Sequence, residues 1–581
     1  MLRDDLSQAL AILLAIMKPL AALLLLALAP TLAHAQTPIQ VTVDTAHPRA
    51  AYAPAWNKWG ADEPNYVATP NGQKLLHELA ALSPEPPYIR VHNLLTTGDG
   101  VGSLKWGSTN AYTEDAHGNP VYDWTITDRI FDAFRDAGVR PEVEIGFMPE
   151  ALSTHPEPYR HQFPRQSNVF TGWSYPPKDY AKWSALVTAY AEHLHARYGS
   201  SVDTWLWEVW NEPDIDYWHG SPAEYDRLYD FTAAAVRKAL PHARIGGPES
   251  TGPYPKADGT PGSSSEAFLR QFLEHCARGA NAATGQTGAP LDFISFHPKG
   301  QPKVVNGPSG KYVEMDIAHQ LRAVDFGMRT VASFPEWKHT PILMGESDPE
   351  GCAACGIEQN PQNNYRNGPL YGVSVAEATA RTYELAERYG VNLLGSVTWA
   401  FQFENQPYFA GFRDLATNGI DKAVLNVFRE WGMLGGSWLP ATSTGALPLD
   451  SMLQGATHTR SDLSAVATRK GREVDVLIFN YDDRDLPAPP ATVSIRLTGL
   501  TGTHATMQQF LVDRDHSNAY TAWQQMGSPQ QPSNEQTTQL TAASKLFQIA
   551  APTALSTQNH SATIPVTLAR QGVLLLRITD Q

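Results

Sequence analysis

Two stretches of the chain end an apolar run with a glutamate, a residue type that enzymes use to move protons or to attack carbon. In the first stretch, the run 202–210 leads into Asn211, Glu212 and Pro213. Proline lacks an N–H group and restricts the residue before it to extended geometry, so a strand predicted over this run must end there. In the second stretch, the run 341–345 leads into Glu346.

Glu212 and Glu346 together favour one kind of chemistry. Paired carboxylates facing each other across a cleft, in a chain without a metal-binding motif, are the layout for glycoside hydrolysis. At a separation of about 5 Å, one carboxylate attacks the sugar while the other shuttles the proton, and the anomeric configuration is retained. For Glu212 alone, a residue that merely caps the next helix is an equally good interpretation, and the second carboxylate is what favours catalysis. We predict no cofactor and no metal.

The elements that must position these carboxylates follow a regular pattern. Short apolar strands alternate with amphipathic helices over residues 51–436, which predicts an α/β fold, a (β/α)₈ TIM barrel. Glu212 and Glu346 follow the fourth and seventh predicted strands, so both carboxylates should lie on the C-terminal rim of the barrel, where catalytic groups are mounted. The eight predicted strands lie at 52–59, 88–92, 141–147, 202–210, 243–246, 291–297, 341–345 and 393–401.

The pattern changes beyond residue 436. Short β runs separated by Gly, Pro and Thr turns predict a C-terminal antiparallel β-sandwich domain over residues 437–581. The segment 36–50 contains a strand-like run at 39–43. We expect this N-terminal strand to join the sandwich.

The composition and the N-terminal segment limit which partners and which cellular compartment are possible. A net charge of −15 and a pI near 5.7 argue against nucleic acid or an anionic membrane as a partner. Residues 1–35 have the pattern of a signal peptide that starts at Met17 and ends in the A-x-A site 33–35. The apolar run after Lys18 is short and is broken by Pro30, which disfavours a membrane anchor. We therefore predict a secreted or periplasmic protein with no membrane attachment after cleavage.

Three cysteines occur, Cys276, Cys352 and Cys355. A single C-x-x-C motif lacks the second pair of ligands that a structural zinc site needs. In an exported protein the pair Cys352 and Cys355 is expected to close a short disulfide loop. Cys276, on a predicted helix, is expected to be a buried free thiol.

Longer motifs around these residues resemble a known family. The chain resembles clan A glycosidases and, within them, glycoside hydrolase family 39, which contains β-xylosidases and α-L-iduronidases. The resemblance runs from about residue 40 to the end of the chain. Its motifs are Tyr-Ile-Arg-Val-His (88–92), Val-Glu-Ile-Gly-Phe-Met-Pro (143–149), Trp-Glu-Val-Trp-Asn-Glu-Pro (207–213), Asp-Phe-Ile-Ser-Phe-His (292–297) and His-Ser-Asn-Ala-Tyr (516–520).

The resemblance implies a role for each matching residue. Glu212 would be the acid/base and Glu346 the nucleophile. Asn211 would bind the 2-hydroxyl of the sugar, where hydrogen bonds matter most in the transition state. The other implied substrate-binding residues line the subsite of the cleaved sugar: His92, His297, Trp399 and Glu404.

Several alternatives stay open at this point. Arg90 would point into the same rim or form a buried ion pair, and Glu208 would be a polar group of the barrel interior. The loop that follows Glu346 and the run 406–412 resemble a bacterial β-xylosidase subgroup, which favours xylo-oligosaccharides or aryl β-xylosides as substrates of an exo-acting enzyme. An α-L-iduronidase-like activity would need cations for the substrate carboxylate, for which Lys299 and Arg366 are the candidates. Arabinosidase activity and a non-catalytic carbohydrate-binding protein are the remaining alternatives.

Overall fold

The computed structural model describes residues 37–105, 107–160, 171–256, 263–308, 310–502 and 504–581. The predicted signal peptide, residues 1–35, lies outside these residues. Within the described ranges, no helix is both long enough and apolar enough to cross a membrane.

Eight parallel strands form the centre of the fold, which confirms the predicted TIM barrel. Each strand pairs with its neighbours in the sequence. A parallel bridge between Trp59 and Thr398 brings the first strand against the chain that leaves the last one. The strands are β1 (Lys58–Ala61), β2 (Tyr88–Val91), β3 (Arg140–Ile145), β4 (Leu206–Val209), β5 (Arg244–Thr251), β6 (Phe293–His297), β7 (Ile342–Met344) and β8 (Leu393–Ser396).

One long helix follows each barrel strand. The helix after β4 begins at a capping box in which Ser221 and Glu224 bond each other's backbone N–H groups. Because Ser221 is the N-cap, the interpretation of Glu212 as a helix cap is wrong. The helices are α1 (Pro70–Ala80), α2 (Thr125–Ala137), α3 (Tyr180–Tyr198), α4 (Pro222–Ala239), α5 (Ser264–Arg278), α6 (Ile317–Ala332), α7 (Pro369–Tyr389) and α8 (Ala423–Met433).

Several strand boundaries differ from prediction. The strand predicted over 202–210 begins only at Leu206, because Gly199–Thr204 forms a 3₁₀ helix. Within this 3₁₀ helix, the Ser201 hydroxyl donates to the carbonyl of Tyr198 at 2.7 Å and the Thr204 hydroxyl donates to the carbonyl of Ser201 at 2.8 Å. Such local hydrogen bonds compete with strand pairing. The strand predicted over 52–59 lies instead at Lys58–Ala61, and the strand predicted over 393–401 ends at Ser396.

The C-terminal part of the chain forms two β-sheets. Strand Ile39–Asp44 lies in one of them, and its pairing with Ala491–Thr498 is parallel, so the sandwich is not wholly antiparallel as predicted. The first sheet contains Ala441–Ser443, Ile39–Asp44, Ala491–Thr498 and Ser561–Leu568. The second contains Ser437–Leu439, Asp462–Lys470, Glu473–Tyr481, Val573–Asp580, His504–Val512, Phe547–Gln548 and Thr553–Ser556.

Alternating side chains fill the space between these sheets. Val493, Ile495 and Leu497 are completely buried, while the residues between them are not, as expected for a half-buried strand. Val41 and Val43 of the N-terminal strand belong to the same apolar cluster. The division of the chain at residues 50 and 436 stays a prediction.

Two helices interrupt the sandwich and were not predicted. Ala519–Gln525 and Asn534–Ala543 pack with Phe409 and Ile420, which lie in the segment that follows β8. In addition, the backbone N–H of Tyr408 donates to the side chain of Gln530 at 2.8 Å. The C-terminal part of the chain therefore supports a loop on the C-terminal rim of the barrel.

Gly60 on β1 makes room for Trp399, one of the predicted substrate-binding residues. A Cβ atom at position 60 would lie 1.7 Å from Cε3 of Trp399. We expect Gly60→Ala to lower the free energy of unfolding by about 1–3 kcal/mol, because the overpacked ring must move. Denaturant unfolding measures this difference, with Gly351→Ala as the control, since nothing lies within 4 Å of a Cβ there. Equal stability of the two variants would contradict the predicted packing.

Candidate active site

Glu212 lies just beyond β4, where the backbone turns sharply. Trp210 and Glu212 have φ angles of 72° and 43°, a region that costs a non-glycine residue about 1–3 kcal/mol. The backbone N–H of Glu212 donates to the carbonyl of Glu249 on β5 at 2.8 Å. The Glu212 side chain is 13% exposed, and its Oε1 lies 2.9 Å from Nδ1 of His297 on β6. The strained turn thus holds a partly accessible carboxylate against an imidazole.

Glu346 follows β7 and is surrounded by cationic groups. Arg90 donates to its Oε1 at 3.1 Å, and the Lys299 ammonium contacts its Oε2. Nε2 of His92 lies 3.5 Å from the same Oε1. Burial by itself raises the pKa of the Glu346 carboxyl, but Lys299 and His297 oppose it, and the pKa lies well below its ordinary value. Glu346 is therefore an ionised carboxylate at neutral pH.

The two carboxylates lie on the same rim and close together. One oxygen each of Glu212 and Glu346 and one nitrogen of His297 all lie within 4.8 Å of one another. These three atoms also form a candidate set of metal ligands. Since Lys299 and Arg90 already neutralise Glu346, the charge distribution disfavours an additional cation there. The arrangement suits a reaction that needs two carboxylates facing one small substrate.

Arg90 connects the residues of this rim. Its guanidinium is fully buried and donates to Glu208 at 2.6 Å and to Oδ1 of Asn211 at 3.1 Å, besides Glu346. It is thus both a rim residue and a buried ion pair, the two alternatives that the sequence left open. Because Oδ1 of Asn211 accepts from Arg90, the Nδ2 group of Asn211 is the one that faces away from Arg90.

His92 and Trp399 lie side by side against the same cluster. Their rings have centroids 4.2 Å apart. Nδ1 of His92 lies 2.6 Å from Oε2 of Glu144, and the Trp399 indole donates to Asp62 at 2.7 Å. Burial lowers the pKa of His92, but Glu144 and Glu346 raise it by more, so the net shift is upward. The structure therefore brings together six of the seven predicted site residues: Asn211, Glu212, Glu346, His92, His297 and Trp399.

Glu404, the seventh, lies against a different element. Its carboxylate accepts from Thr69 at 2.5 Å, from Asn71 at 3.2 Å and from Gln402 at 2.8 Å. Thr69 is the N-cap of helix α1, so Glu404 binds the start of that helix. Its contact with a sugar stays a prediction.

The two cations considered for a substrate carboxylate have different environments. Lys299 contacts both Glu346 and Asp348, the latter at 3.1 Å. Arg366 is completely buried and donates to loop carbonyls, including that of Cys352 at 2.9 Å. Arg366 is therefore wrong as a candidate for substrate binding, because its donors hold the loop after Glu346. Cys352 and Cys355 form a disulfide in this loop, and Cys276 is a buried free thiol.

Sequence reasoning placed Glu208 in the barrel interior, as its burial confirms, but missed Glu142 and Glu249 beside it. Glu142, Glu208 and Glu249 are fully buried, and one oxygen of each lies within 4.8 Å of the others. Burial raises the pKa of Glu208 well above its ordinary value and that of Glu142 to about 7. Burial also acts to raise the pKa of Glu249, but Arg90 and His297 hold it at about 2. For Glu142 the available signal was a charged residue at an alternate position of an apolar strand, which places it inside the barrel.

Comparisons with known proteins agree with this geometry. The sequence model described as "Glycosyl hydrolases family 39" matches residues 40–560. A β-xylosidase of Geobacillus stearothermophilus is 26% identical over 465 residues, which cover 77% of this chain and 78% of that protein. An α-L-iduronidase of Mus musculus is 26% identical over 548 residues, which cover 88% of this chain and 76% of that protein.

Solved structures share the fold. The GH39 enzyme from Xanthomonas axonopodis pv. citri superposes with a TM-score of 0.71 at 21% identity, over 95% of this chain and 100% of that one. A monomeric β-xylosidase from Caulobacter crescentus CB15 gives a TM-score of 0.70 at 21% identity, over 93% of this chain and 99% of that one. Because the family model spans most of the chain, this protein belongs to glycosyl hydrolase family 39 and is a glycosidase.

Proposed function

We propose that this glycosidase is an exo-acting, retaining enzyme that releases xylose from xylo-oligosaccharides or aryl β-xylosides. The observation that carries the proposal is the spacing of Glu212 and Glu346, whose nearest oxygens lie within 4.8 Å of each other. Retaining glycosidases hold their two carboxyl groups about 5–5.5 Å apart, whereas inverting enzymes need about 6.5–9.5 Å for a water molecule. The short spacing favours a covalent intermediate.

In the first step, a carboxylate oxygen of Glu346 attacks the anomeric carbon of the sugar. The bond from that carbon to the leaving oxygen breaks, and Glu212 gives its proton to this oxygen. Glu346 suits the nucleophile because nearby cations keep it ionised. Asn211 would donate its Nδ2 hydrogen to the 2-hydroxyl, since Arg90 occupies its Oδ1.

In the second step, Glu212 takes a proton from a water molecule. The oxygen of that water attacks the anomeric carbon and displaces Glu346, so two inversions restore the original configuration. Trp399 and His92 would form the wall beneath the sugar ring, because His92 lies 3.5 Å from Glu346 and the Trp399 ring packs against His92. Cleavage of residues 1–35 during export would place the enzyme in the periplasm or outside the cell, where it would meet oligosaccharides from the surroundings.

A second candidate, an α-L-iduronidase-like activity, rests on Lys299. β-Xylosides and α-L-iduronides share their ring configuration up to C5, where the iduronide carries a carboxylate. The Lys299 ammonium at Glu346 would bind that carboxylate and so leave Oε2 of Glu346 to react. Sequence identity does not separate the two candidates, since it is 26% and 24% to two β-xylosidases and 26% to an α-L-iduronidase. The xylose assignment rests on the loop motifs after Glu346.

Glu346→Ala should reduce kcat/KM for an aryl β-xyloside by about 10⁴-fold or more, because no covalent intermediate forms. A 2-fluoroxyloside with a good leaving group should label Glu346 of the wild type, as peptide mass spectrometry would detect. Circular dichroism checks that the variant folds. Label on another carboxylate, together with near-normal activity of Glu346→Ala, would refute this nucleophile.

Glu212→Ala should slow the hydrolysis of xylobiose by about 10²–10⁴-fold. The first step with an aryl xyloside that has a good leaving group should slow far less. Because a good leaving group departs without protonation, the glycosyl-enzyme should accumulate, and azide should then restore turnover. The product should be a β-azide, since both displacements invert. NMR of the product decides the outcome: an α-azide, or equal slowing of both substrates, would contradict the role of Glu212.

Lys299→Met should move the acid limb of the pH profile for xyloside hydrolysis to higher pH. Lys299 lowers the pKa of Glu346, so its loss raises that pKa, and the nucleophile becomes protonated at a higher pH. If the enzyme also cleaves α-L-iduronides, their KM should rise by about 10-fold or more, while the KM for xylosides changes little. Rates across the pH range for both substrates measure this.

Lys303→Met is the matched control for Lys299→Met. Lys303 lies on an exposed hairpin strand, Lys303–Gly307, where it pairs with Glu314 at 3.0 Å. The control should keep both profiles of the wild type. A wild type that cleaves xylosides but shows no iduronide hydrolysis would eliminate the second candidate.

A further inference from the structure

Glu249 has an unusual place in its strand. The pairing of β5 with β6 shifts register between Pro248 and Ser250, so Glu249 is the extra residue of a bulge. Its φ angle is 54°, in the left-handed region, and its side chain is fully buried. Bulges re-aim side chains, and strained residues of this kind concentrate at functional sites.

The carboxylate of Glu249 lies against His297 and the residue before Glu346. Its Oε2 lies 2.7 Å from Nε2 of His297. A Cβ on Gly345 would lie 1.8 Å from the same oxygen, so glycine at this position of the rim provides the space that Glu249 occupies. The contact therefore depends on two separate features of the chain, a bulge on β5 and a glycine after β7.

Both ring nitrogens of His297 thus face carboxylate oxygens. Nδ1 lies 2.9 Å from Glu212, while Nε2 lies 2.7 Å from Glu249. A neutral imidazole has one N–H and can donate to only one of these acceptors, whereas an imidazolium donates to both. The double contact is the geometry of a protonated histidine held between two carboxylates.

We infer that Glu249 is a positioning residue that keeps His297 doubly protonated and thereby orients Glu212. This role rests on the proposed function of Glu212 as the acid/base. Glu249 acts on Glu212 twice, through His297 and through its own carbonyl, which accepts the Glu212 N–H at 2.8 Å. Its side chain is fully buried beneath the rim.

The charges around His297 agree with this role. The groups that face it are Glu212, Glu249, Glu346 at 3.9 Å, and Arg90. Burial lowers the pKa of His297, but Glu346 and the two hydrogen-bonded carboxylates raise it to about 9. Because the imidazolium donates to Glu212, the two residues share one exchangeable proton. The acid form of this pair supplies, through Glu212, the proton that goes to the leaving oxygen, and water returns it.

Removal of the negative charge on Glu249 destabilises that acid form. The pair then loses its proton at a lower pH, so Glu249→Gln should move the basic limb of kcat/KM to lower pH by about one to three pH units. The KM for the substrate should change little, because the Glu249 side chain is fully buried. A merely structural role would lower activity or stability without moving this limb.

Glu142→Gln is the matched control. Glu142 is equally buried and belongs to the same group of three carboxylates, but among the described residues its side chain has no hydrogen bond to His297. The control should keep the basic limb of the wild type. An equal shift in both variants would overturn the inference, since it would indicate a general effect of the buried charges, and so would an unchanged limb in Glu249→Gln.

Neutron diffraction of deuterated wild-type crystals at pH 7.5 tests the inference without a variant. We expect deuterium on both ring nitrogens of His297. Deuterium on one nitrogen only would overturn the inference, even if Glu249→Gln failed to fold. This measurement needs no substrate, so its failure is distinguishable from failure of the proposed function, which the azide experiment on Glu212→Ala decides.

Discussion

The structure of the site depends on one buried cation, Arg90. Its guanidinium lies inside the barrel, fully buried, within 3.5 Å of carboxylate oxygens of four glutamates: Glu144, Glu208, Glu249 and Glu346. Without it these carboxylates would face one another in a medium of low polarity, which is strongly unfavourable. Arginine suits this place because its planar fork offers five donors in fixed directions and stays charged when buried.

Arg90 and its glutamate partners make the barrel interior polar near its C-terminal rim. Barrel interiors are usually filled with branched apolar side chains. Here strands β3 and β4 point Glu142, Glu144 and Glu208 inward, where they are completely buried. A buried ionic network of this kind contributes less to stability than an apolar core of the same volume would. It instead fixes the directions of groups such as Asn211 and Glu346, which a catalytic reaction requires.

Backbone strain also occurs around the same groups. Positive φ angles occur at Trp210 and Glu212 beyond β4 and at Glu249 in β5. These conformations persist only where surrounding contacts determine them. The hydrogen bond between the backbones of Glu212 and Glu249 joins two of them directly. Farther out, the helices Ala519–Gln525 and Asn534–Ala543 support the segment after β8 through Phe409 and Ile420. The C-terminal part of the chain thus contributes to the rim through the segment that follows β8.

The sequence by itself determined the barrel and its two carboxylates. Alternating strand and helix patterns predict eight parallel strands, and residues that follow such strands must share one rim, so the sequence alone pairs Glu212 with Glu346. Only the tertiary structure decided their partners. Glu249 lies in a β-bulge of β5. A periodic sequence pattern does not reveal a bulge, because the bulge breaks the alternation of side chains. Three placements depend on contacts between residues far apart in the chain. Lys299 contacts Glu346, Arg366 holds the loop that follows Glu346, and Glu404 binds the start of helix α1. Such contacts are set by how the elements pack, and local sequence carries no direct record of them.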